Sequence, residues 1–460
     1  MENGNPKNSR NREPGPVAAT EKLDTHHKAL TINLDPSTFG SFAEIGAGQE
    51  VARWFLVVGA ASGTVAKTIS AYDKEVSDDL YGSSSRYVSQ ERLEGMLDSE
   101  WSQLLNQLHK SRGAHTCFFS FVDTVSARNY SGTNEPHGWV GLRFQLRPGG
   151  PPNDILLHIN LRDASNFLQQ EALGILGVNL IYAAFYQLKN KESFLDGIAQ
   201  DVEKRIEIDF VDLRGLAFEM WDRRALLAQL LHAGIAQAVF FSSSGPPVPP
   251  TEVLYKKAVV LAPGYFEHVD PIHSEMHARM LTSAIQQLRG ELDEAKSAPR
   301  GVFCLPAGPR RPEDLPPAVP DLLNRIDALL ARGGDVLLVR EQELYTMTEF
   351  VNRYTKEPVR FVVGLSLLIR AWEDRYWNLG GRLLEALSRL FAQNVRIYVY
   401  PMTVVDLRQS IQSLSATRWE WSEMNGWVSA GQLRPTGPLG HLYDYALASD
   451  FLVPIQIPQL

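Results

Sequence analysis

The fold of the C-terminal half is decided by four short stretches: GVFCLP (Gly301–Pro306), VLLVR (Val336–Arg340), VRFVVG (Val359–Gly364) and VRIYVYP (Val395–Pro401). Each stretch is continuously apolar or β-branched, and helical patterns such as Asp321–Arg332 lie between them. Strands that are apolar on both faces and alternate with helices are typical of a parallel sheet covered by helices. We therefore predict an α/β fold with a mainly parallel sheet in this half.

The N-terminal half has a mixed pattern of strands and helices. Trp139–Leu146 and Ile155–Leu161 predict a hairpin, because Gly and Pro residues separate two short apolar runs. RIEIDFV (Arg205–Val211) predicts a further strand. The apolar stretch Ala172–Phe185 predicts a buried helix, since its 14 residues are fewer than the ~20 that cross a bilayer. We expect this half to be α+β.

Two local predictions concern the first hundred residues. LTINL (Leu30–Leu34) alternates as a short strand does, and residues 61–72 carry small and apolar side chains at helical spacing.

For the whole chain we predict a disordered tail over residues 1–28, a mixed α+β domain over 29–245, an α/β domain over 246–405 and a C-terminal extension over 406–460 that packs on the body.

The composition excludes several classes of protein. The 460 residues include 45 Lys and Arg against 53 Asp and Glu, a formal net charge of −8, so nucleic acid is not expected as a partner. The two cysteines, Cys117 and Cys304, lie in no zinc-binding spacing, and no metal is predicted. Because the sequence shows no export signal and no apolar segment of membrane length, we expect a cytoplasmic protein without a membrane partner. The sequence identifies no cofactor.

A glycine-rich turn precedes a predicted helix near residue 50. Gly46 and Gly48 are spaced as in a dinucleotide-binding fingerprint, but Val51 stands where the third glycine belongs. A structural turn is therefore the favoured interpretation. Gln49 and Glu50 follow the turn directly, and with the two glycines they remain candidate ligand-binding residues.

The most polar segment, residues 129–163, combines side chains that acid–base catalysis and anion binding use. The candidates for catalysis are His137, Asp154 and Asp163, and the candidates for ligand binding are Arg143, Asn153 and Arg162. His137 is the first choice as a general acid or base. The alternative is that Asn153 and Asp154 build a turn, while Arg162 and Asp163 form a surface ion pair.

Two weaker patterns occur in the second half. HVDPIHSEMH places His273 and His277 four residues apart, but a third metal ligand is not evident, so a packed or solvated helix face is favoured. Open parallel sheets bind ligands at the carboxyl ends of their strands. Arg340, Gly364 and Tyr400-Pro401 are therefore better placed for ligand binding than the basic cluster Arg353–Glu357, which precedes a strand.

Seven stretches of the chain also resemble a bacterial family of soluble proteins of about this length. They are FAEIGAGQEVARWF (Phe42–Phe55), HGWVGLRFQ (His137–Gln145), PGGPPNDI (Pro148–Ile155), QQEALGILGVNLIYAAF (Gln169–Phe185), EVLYKKAV (Glu252–Val259), RYTKE (Arg353–Glu357) and YVYP (Tyr398–Pro401). The family is largely uncharacterised, and its members carry automatic labels such as nicotinate-nucleotide adenylyltransferase or TonB-dependent receptor.

The sequence supports neither label. The adenylyltransferase label implies a His-x-Gly-His signature near the first strand–helix turn, and the sequence has none there. The receptor label implies an export signal and a long series of alternating strands, which the sequence also lacks.

Two hypotheses about function follow from the sequence. The first is binding of a small anionic ligand, with a nucleotide as one candidate and phosphoryl or nucleotidyl transfer as the chemistry. Its cleft would be lined by the 46–50 turn, His137 and the 153–163 hairpin. The second is a non-catalytic oligomeric scaffold, because aromatic residues such as Trp372, Trp377 and Trp419 often anchor protein interfaces. Whether the protein is an enzyme is left open.

Overall fold

The structure of the protein is a computed structural model that describes residues 22–243, 247–267, 271–292, 298–309 and 314–455, with the backbone alone for 271–274. Most of the predicted tail, the predicted boundary at residue 245, and His268, Asp270 and the side chain of His273 lie outside the described residues.

The described residues form helices and strands in alternation. The helices are α1 (Thr25–Asn33), α2 (Glu50–Val57), α3 (Lys74–Tyr81), α4 (Gln90–Arg112), α5 (Asn166–Tyr186), α6 (Lys191–Ala199), α7 (Arg223–His232), α8 (Pro250–Leu254), α9 (Pro271–Glu291), α10 (Val319–Leu330), α11 (Leu344–Val351), α12 (Leu365–Ala371), α13 (Arg382–Leu390), α14 (Val404–Leu414) and α15 (Pro438–Ala448). The strands are β1 (Thr38–Ile45), β2 (Val65–Ile69), β3 (Cys117–Ser126), β4 (His137–Gln145), β5 (Pro152–Leu161), β6 (Ile206–Arg214), β7 (Ala238–Phe241), β8 (Pro247–Val248), β9 (Val259–Pro263), β10 (Arg300–Pro306), β11 (Asp335–Val339), β12 (Val359–Gly364), β13 (Val395–Tyr400), β14 (Met402–Thr403), β15 (Trp419–Trp421), β16 (Trp427–Val428), β17 (Leu433–Pro435) and β18 (Leu452–Pro454).

The first sheet has the strand order β2-β1-β3-β4-β5-β6. Strands β1, β2 and β3 are parallel, whereas β4, β5 and β6 continue the sheet as an antiparallel meander. Helix α4 packs on one face, where Leu93 and Leu97 meet Val122 and Trp139. Helices α2 and α5 cover the other face, so the sheet is buried on both sides.

The second sheet has the order β18-β13-β12-β9-β10-β11-β7-β8, and its six strands from β18 to β11 run parallel. The α/β fold predicted from the apolar strands is thus confirmed. Counted along the chain from β9, these six strands have the spatial order 3-2-1-4-5-6. The winding direction therefore reverses between β9 and β12, which is the topological switch point of a doubly wound sheet.

The two sheets share one hydrophobic core. Phe121 and Ile208 of the first sheet belong to the same cluster of buried residues as Val260, Leu305 and Val336 of the second. The C-terminal residues add to the second sheet, because β18 pairs with β13 at its edge. The predicted division into domains stays a prediction.

Two local predictions are wrong. Leu30–Leu34 overlaps helix α1, whose N-terminus is capped by Asp24 and whose apolar residues Ala29 and Ile32 are buried one turn apart. Residues 61–72 contain strand β2, which pairs with β1 at the sheet edge. Its burial alternates with the period of two that a strand requires, and the small side chains had obscured this period.

Candidate functional site

Many of the polar residues lie at one end of the strands of the first sheet, which we call its edge, where β3 and β5 end and β4 begins. Strand β4 runs antiparallel to β3, so His137 at its start lies opposite Ser126 at the carboxyl end of β3. Asn160 near the end of β5 pairs with His137 from the other side. The register thereby places Arg162, which follows β5, at the same edge. We call the following residues the edge cluster: His137, His158, Arg162, Glu207, Asp209, Arg353 and Tyr354.

A series of hydrogen bonds runs inward from His137. Its Nδ1 lies 3.1 Å from Nε2 of His158, and Nδ1 of His158 lies 2.6 Å from Oδ1 of Asp209. His158 and Asp209 are fully buried, whereas His137 is half-buried. The other carboxylate oxygen of Asp209 accepts hydrogen bonds from Asn160 (2.9 Å) and from the Tyr354 hydroxyl (3.0 Å).

The charge of Asp209 sets the tautomers along this series. Burial opposes ionisation of Asp209, but His158 and the hydrogen bonds from Asn160 and Tyr354 outweigh burial and lower its pKa. Since the ionised carboxylate can only accept, Nδ1 of His158 donates to it. In the neutral form of His158, its Nε2 accepts from Nδ1 of His137, and the lone pair of His137 is then on Nε2, which makes no hydrogen bond to the described residues.

The environment keeps His137 neutral at physiological pH. Burial, then His158 and Arg86, lower its pKa to about 4, against the opposite effect of Asp209. A neutral imidazole with a free Nε2 is the form that accepts a proton in general base catalysis.

Two guanidinium groups share one carboxylate beside the histidines. Arg162 and Arg353 both form ion pairs with Glu207, the latter at 3.1 Å. Burial and the charge of Arg353 lower the pKa of Arg162 to about 10, although Tyr354, Asp209 and Glu135 act in the opposite direction. Nε of Arg162 is buried and has no acceptor within the described ranges. This donor lacks the partner that buried polar groups usually have.

The glycine turn is built for packing. A Cβ on Gly46, whose φ is +99°, would lie 1.9 Å from the carbonyl oxygen of Val125. Gly48 also has a positive φ, of +80°. Gln49 donates to Thr68 at 3.1 Å, and Glu50 pairs with Arg53 at 3.4 Å. The side chains of Gln49 and Glu50 thus have local partners. The predicted role of the turn in ligand binding stays a prediction.

Two buried carboxyl groups lie next to the turn. Glu44 and Asp123 are paired across β1 and β3, and both are inaccessible to solvent. The carboxylate of Glu44 caps α2 by accepting from the backbone N–H groups of Val51 (3.0 Å) and Ala52 (2.9 Å). Burial raises the pKa of Glu44 to about 7, and burial together with Glu44 raises the pKa of Asp123 well above its ordinary value.

The remaining predicted residues do not join the edge cluster. Arg143 forms a bidentate pair with Asp154 (2.7 and 2.8 Å), and Asn153 accepts from the backbone of Ala217. These three residues lie at the opposite end of the strands, six or seven strand positions or roughly 20 Å from His137, since a strand rises about 3.3 Å per residue. Asp163 pairs with Arg205 at 2.7 Å. The single cleft expected from the sequence is therefore not formed, although the individual roles stay predictions.

Several members of the edge cluster are not recognisable from the sequence. Glu207 and Asp209 occupy the polar positions of a period-2 strand, which normally face solvent. Here they face Arg353 and Tyr354 of the second half of the chain. The RYTKE stretch (Arg353–Glu357) is the available signal, although in the sequence it indicates only the entrance of a strand.

The described part of the chain contains no group of three His, Cys, Asp or Glu residues arranged to hold a metal ion. Among the described residues, none of the helices combines the length and the apolar character that a membrane span requires.

Comparisons with known proteins do not establish a family. No family model matches the chain, and no curated protein matches it. Among solved structures, competence/damage-inducible protein CihA from Agrobacterium tumefaciens is 19% identical, with 35% of this chain and 95% of that chain covered and a TM-score of 0.27. A competence-damaged protein (CinA) superfamily protein from Enterobacter cloacae is 11% identical, with coverage of 38% and 99% and a TM-score of 0.27. Likeness at this level carries no conclusion about the chain.

Proposed function

We propose that the edge cluster binds a small anionic ligand that carries a phosphate group, with nucleotides as the first candidates. In this proposal His137 moves a proton during phosphoryl or nucleotidyl transfer. The observation that carries the proposal is the series His137–His158–Asp209 beside the unpartnered Nε of Arg162. Arginine is suited to this role because its planar donors match phosphate oxygens.

The environment of Arg162 is compatible with an anionic ligand. Burial and then the charge of Arg353 lower the pKa of Arg162, and an anion beside the guanidinium would favour its charged form. Asp209 supports the acid–base step, because its buried carboxylate would stabilise a positive charge shared by His158 and His137 after proton uptake.

The binding part of the proposal is tested by titrating inorganic phosphate and AMP into the protein by calorimetry. We expect Arg162→Gln to weaken binding of both at least tenfold, because the replaced guanidinium is the donor. Arg147→Gln is the matched control, since Arg147 is exposed on the hairpin at the opposite end of the strands. Equal affinities in the Arg162→Gln and wild-type proteins would refute the assignment. If the protein binds inorganic phosphate but does not bind AMP, the site accepts a free anion and not a nucleotide.

The catalytic part is tested by following ATP with ³¹P NMR in the presence of the protein. We expect His137→Gln to retain AMP binding and to lower any phosphoryl transfer by about 10²- to 10⁴-fold, the usual contribution of a general acid or base. His115→Gln is the control, because His115 is exposed and lies outside the cluster. Turnover that His137→Gln leaves unchanged would remove the catalytic role.

The oligomeric scaffold stays a second, weaker proposal. Trp372, Tyr376 and Trp419 are buried in the core of the second sheet, so they do not supply an interface. Trp377 is 71% exposed, with the guanidinium of Arg382 over its ring at 4.3 Å. Light scattering tests this proposal, and a monomer at all concentrations would exclude it.

A further inference from the structure

A pocket of about 490 Å³ opens at the carboxyl ends of β9, β12 and β13. It lies at the point where the winding of the second sheet reverses, between β9 and β12. Doubly wound sheets bind ligands in a crevice at this point. The crevice forms because the connections that follow the two neighbouring strands leave the sheet in opposite directions. The volume falls within the range that small-molecule sites occupy.

The walls of the pocket are mainly aromatic and apolar. Phe266 follows β9, Met280 projects from α9, Tyr400 ends β13, and Trp427 comes from the short strand β16. Strand β16 pairs with β14, which brings Trp427 opposite Thr403 at the rim. Such flat, polarisable surfaces suit a planar ring, against which aromatic side chains stack.

Several polar groups of the pocket come from α12 and α14. Ser366 of α12 and Ser410 of α14 lie 2.8 Å apart. Asp406, in the first turn of α14, accepts a hydrogen bond from the Thr403 hydroxyl through Oδ2 at 2.7 Å. Its Oδ1 makes no hydrogen bond to the described residues. The pocket therefore offers an exposed carboxylate oxygen and hydroxyl groups beside aromatic walls.

The charged residues that line the pocket favour an uncharged ligand over one that bears a phosphate. The lining residues that the structure describes include no Lys and no Arg; Asp406 is the carboxylate among them, and His277 contributes an imidazole. A phosphate group would face the carboxylate of Asp406 without a guanidinium or ammonium group from these residues. Vicinal hydroxyl groups, in contrast, donate hydrogen bonds to a carboxylate, as a ribose does in dinucleotide sites.

We propose that this pocket is a binding site for an uncharged nucleoside. The base lies between the aromatic and thioether side chains of the walls, and Ser366 and Ser410 bond to its polar edge. The ribose hydroxyl groups donate to Oδ1 of Asp406. The site is separate from the edge cluster and shares no residue with it, so the two proposals stand or fail independently.

The first test is isothermal titration of the full chain with adenosine, cytidine and AMP. We expect saturable binding of at least one of the two nucleosides and an affinity for AMP at least tenfold weaker than for adenosine. The comparison is made in the Arg162→Gln background, in which we expect AMP binding at the edge cluster to be at least tenfold weaker, so that binding at the pocket dominates. Saturable binding of neither nucleoside at millimolar concentration would overturn the proposal, as would tighter binding of AMP in that background.

Two variants test the location. Gly364 has φ of −82° and ψ of 167°, and a Cβ there would meet only Met402, at 3.9 Å. Gly364→Val therefore adds a branched side chain to the wall of the pocket at a φ and ψ that Val adopts, and we expect it to weaken nucleoside binding at least tenfold. Asp406→Asn should reduce the affinity for adenosine several-fold. It should also reduce the ratio of the affinity for adenosine to the affinity for AMP.

The control is Asp79→Asn, which changes an exposed carboxylate in the first half of the chain. Melting temperatures verify that each variant is folded. If Gly364→Val and Asp406→Asn bind adenosine as the wild type does, the nucleoside binds elsewhere and the assignment of the pocket is wrong.

Discussion

At the scale of single residues, His137 makes stability depend on pH. Its pKa is about 4 in the folded protein and about 6.5 in an unfolded chain, so the unfolded chain binds more protons between these values. The contribution of neutral His137 is therefore fully present above about pH 6.5 and is lost as the pH falls towards 4. We expect His137→Gln to flatten this part of the stability profile, measured by urea unfolding at each pH.

The exposed His115 again supplies the control, because His115→Gln should leave the acid slope unchanged. If His137→Gln keeps the slope of the wild type, protonation of His137 does not limit stability in acid.

A second residue-scale prediction concerns the buried carboxyl groups of Glu44 and Asp123. The folded pKa of Glu44 is raised to about 7, so the folded protein binds more protons than the unfolded chain above the ordinary value of 4.5. This contribution is present below pH 4.5 and is lost as the pH rises through about 7. Asp123→Asn removes the neighbouring acid, and we expect it to reduce the loss of stability between pH 5 and 8. An unchanged profile would show that the two groups are not coupled.

At the scale of elements, the contact of α5 with α2 and the first sheet depends on small residues. A Cβ on Gly177 would lie 2.3 Å from Val51 and 3.0 Å from Phe121. Gly177→Ala should therefore lower the free energy of unfolding by about 1–3 kcal/mol, the usual effect of overpacking, despite the better helix propensity of Ala.

The matched control is Gly95→Ala within α4, where a Cβ would meet nothing within 4 Å. The same substitution should there raise the free energy of unfolding by about 0.5–1 kcal/mol. Chemical unfolding of both variants measures the difference, and the same sign of change in the two would contradict the packing argument.

At the scale of the whole molecule, Tyr354 joins the two halves of the chain. It follows α11 in the second half and donates to Asp209 in the first sheet. Tyr354→Phe removes a buried hydrogen bond to a charged group, so we expect a loss of about 1.5–3 kcal/mol in the free energy of unfolding. Because Asp209 loses a donor and its charge acts on His137, the titration of His137 observed by NMR should also shift.

Tyr72→Phe is the control, since Tyr72 is 77% exposed. A loss of stability without any change in the histidine titration would show that Tyr354 contributes to packing alone.

The shared core further predicts one cooperative unfolding transition for both halves, because its buried cluster includes residues of both sheets.

The sequence alone determined the α/β character of the second half, the hairpin of β4 and β5, and the buried helix α5. These elements are recognisable because apolar periodicity and turn residues act within one segment. His137 and Arg162 are recognisable as candidates because they belong to the most polar segment, residues 129–163. Tertiary structure alone decided that Arg143 and Asp154 lie at the other end of the strands, since strand direction and register are set by pairing. It also decided that Glu207 and Asp209 meet Arg353 and Tyr354, because residues about 145 positions apart come together only when the two sheets pack.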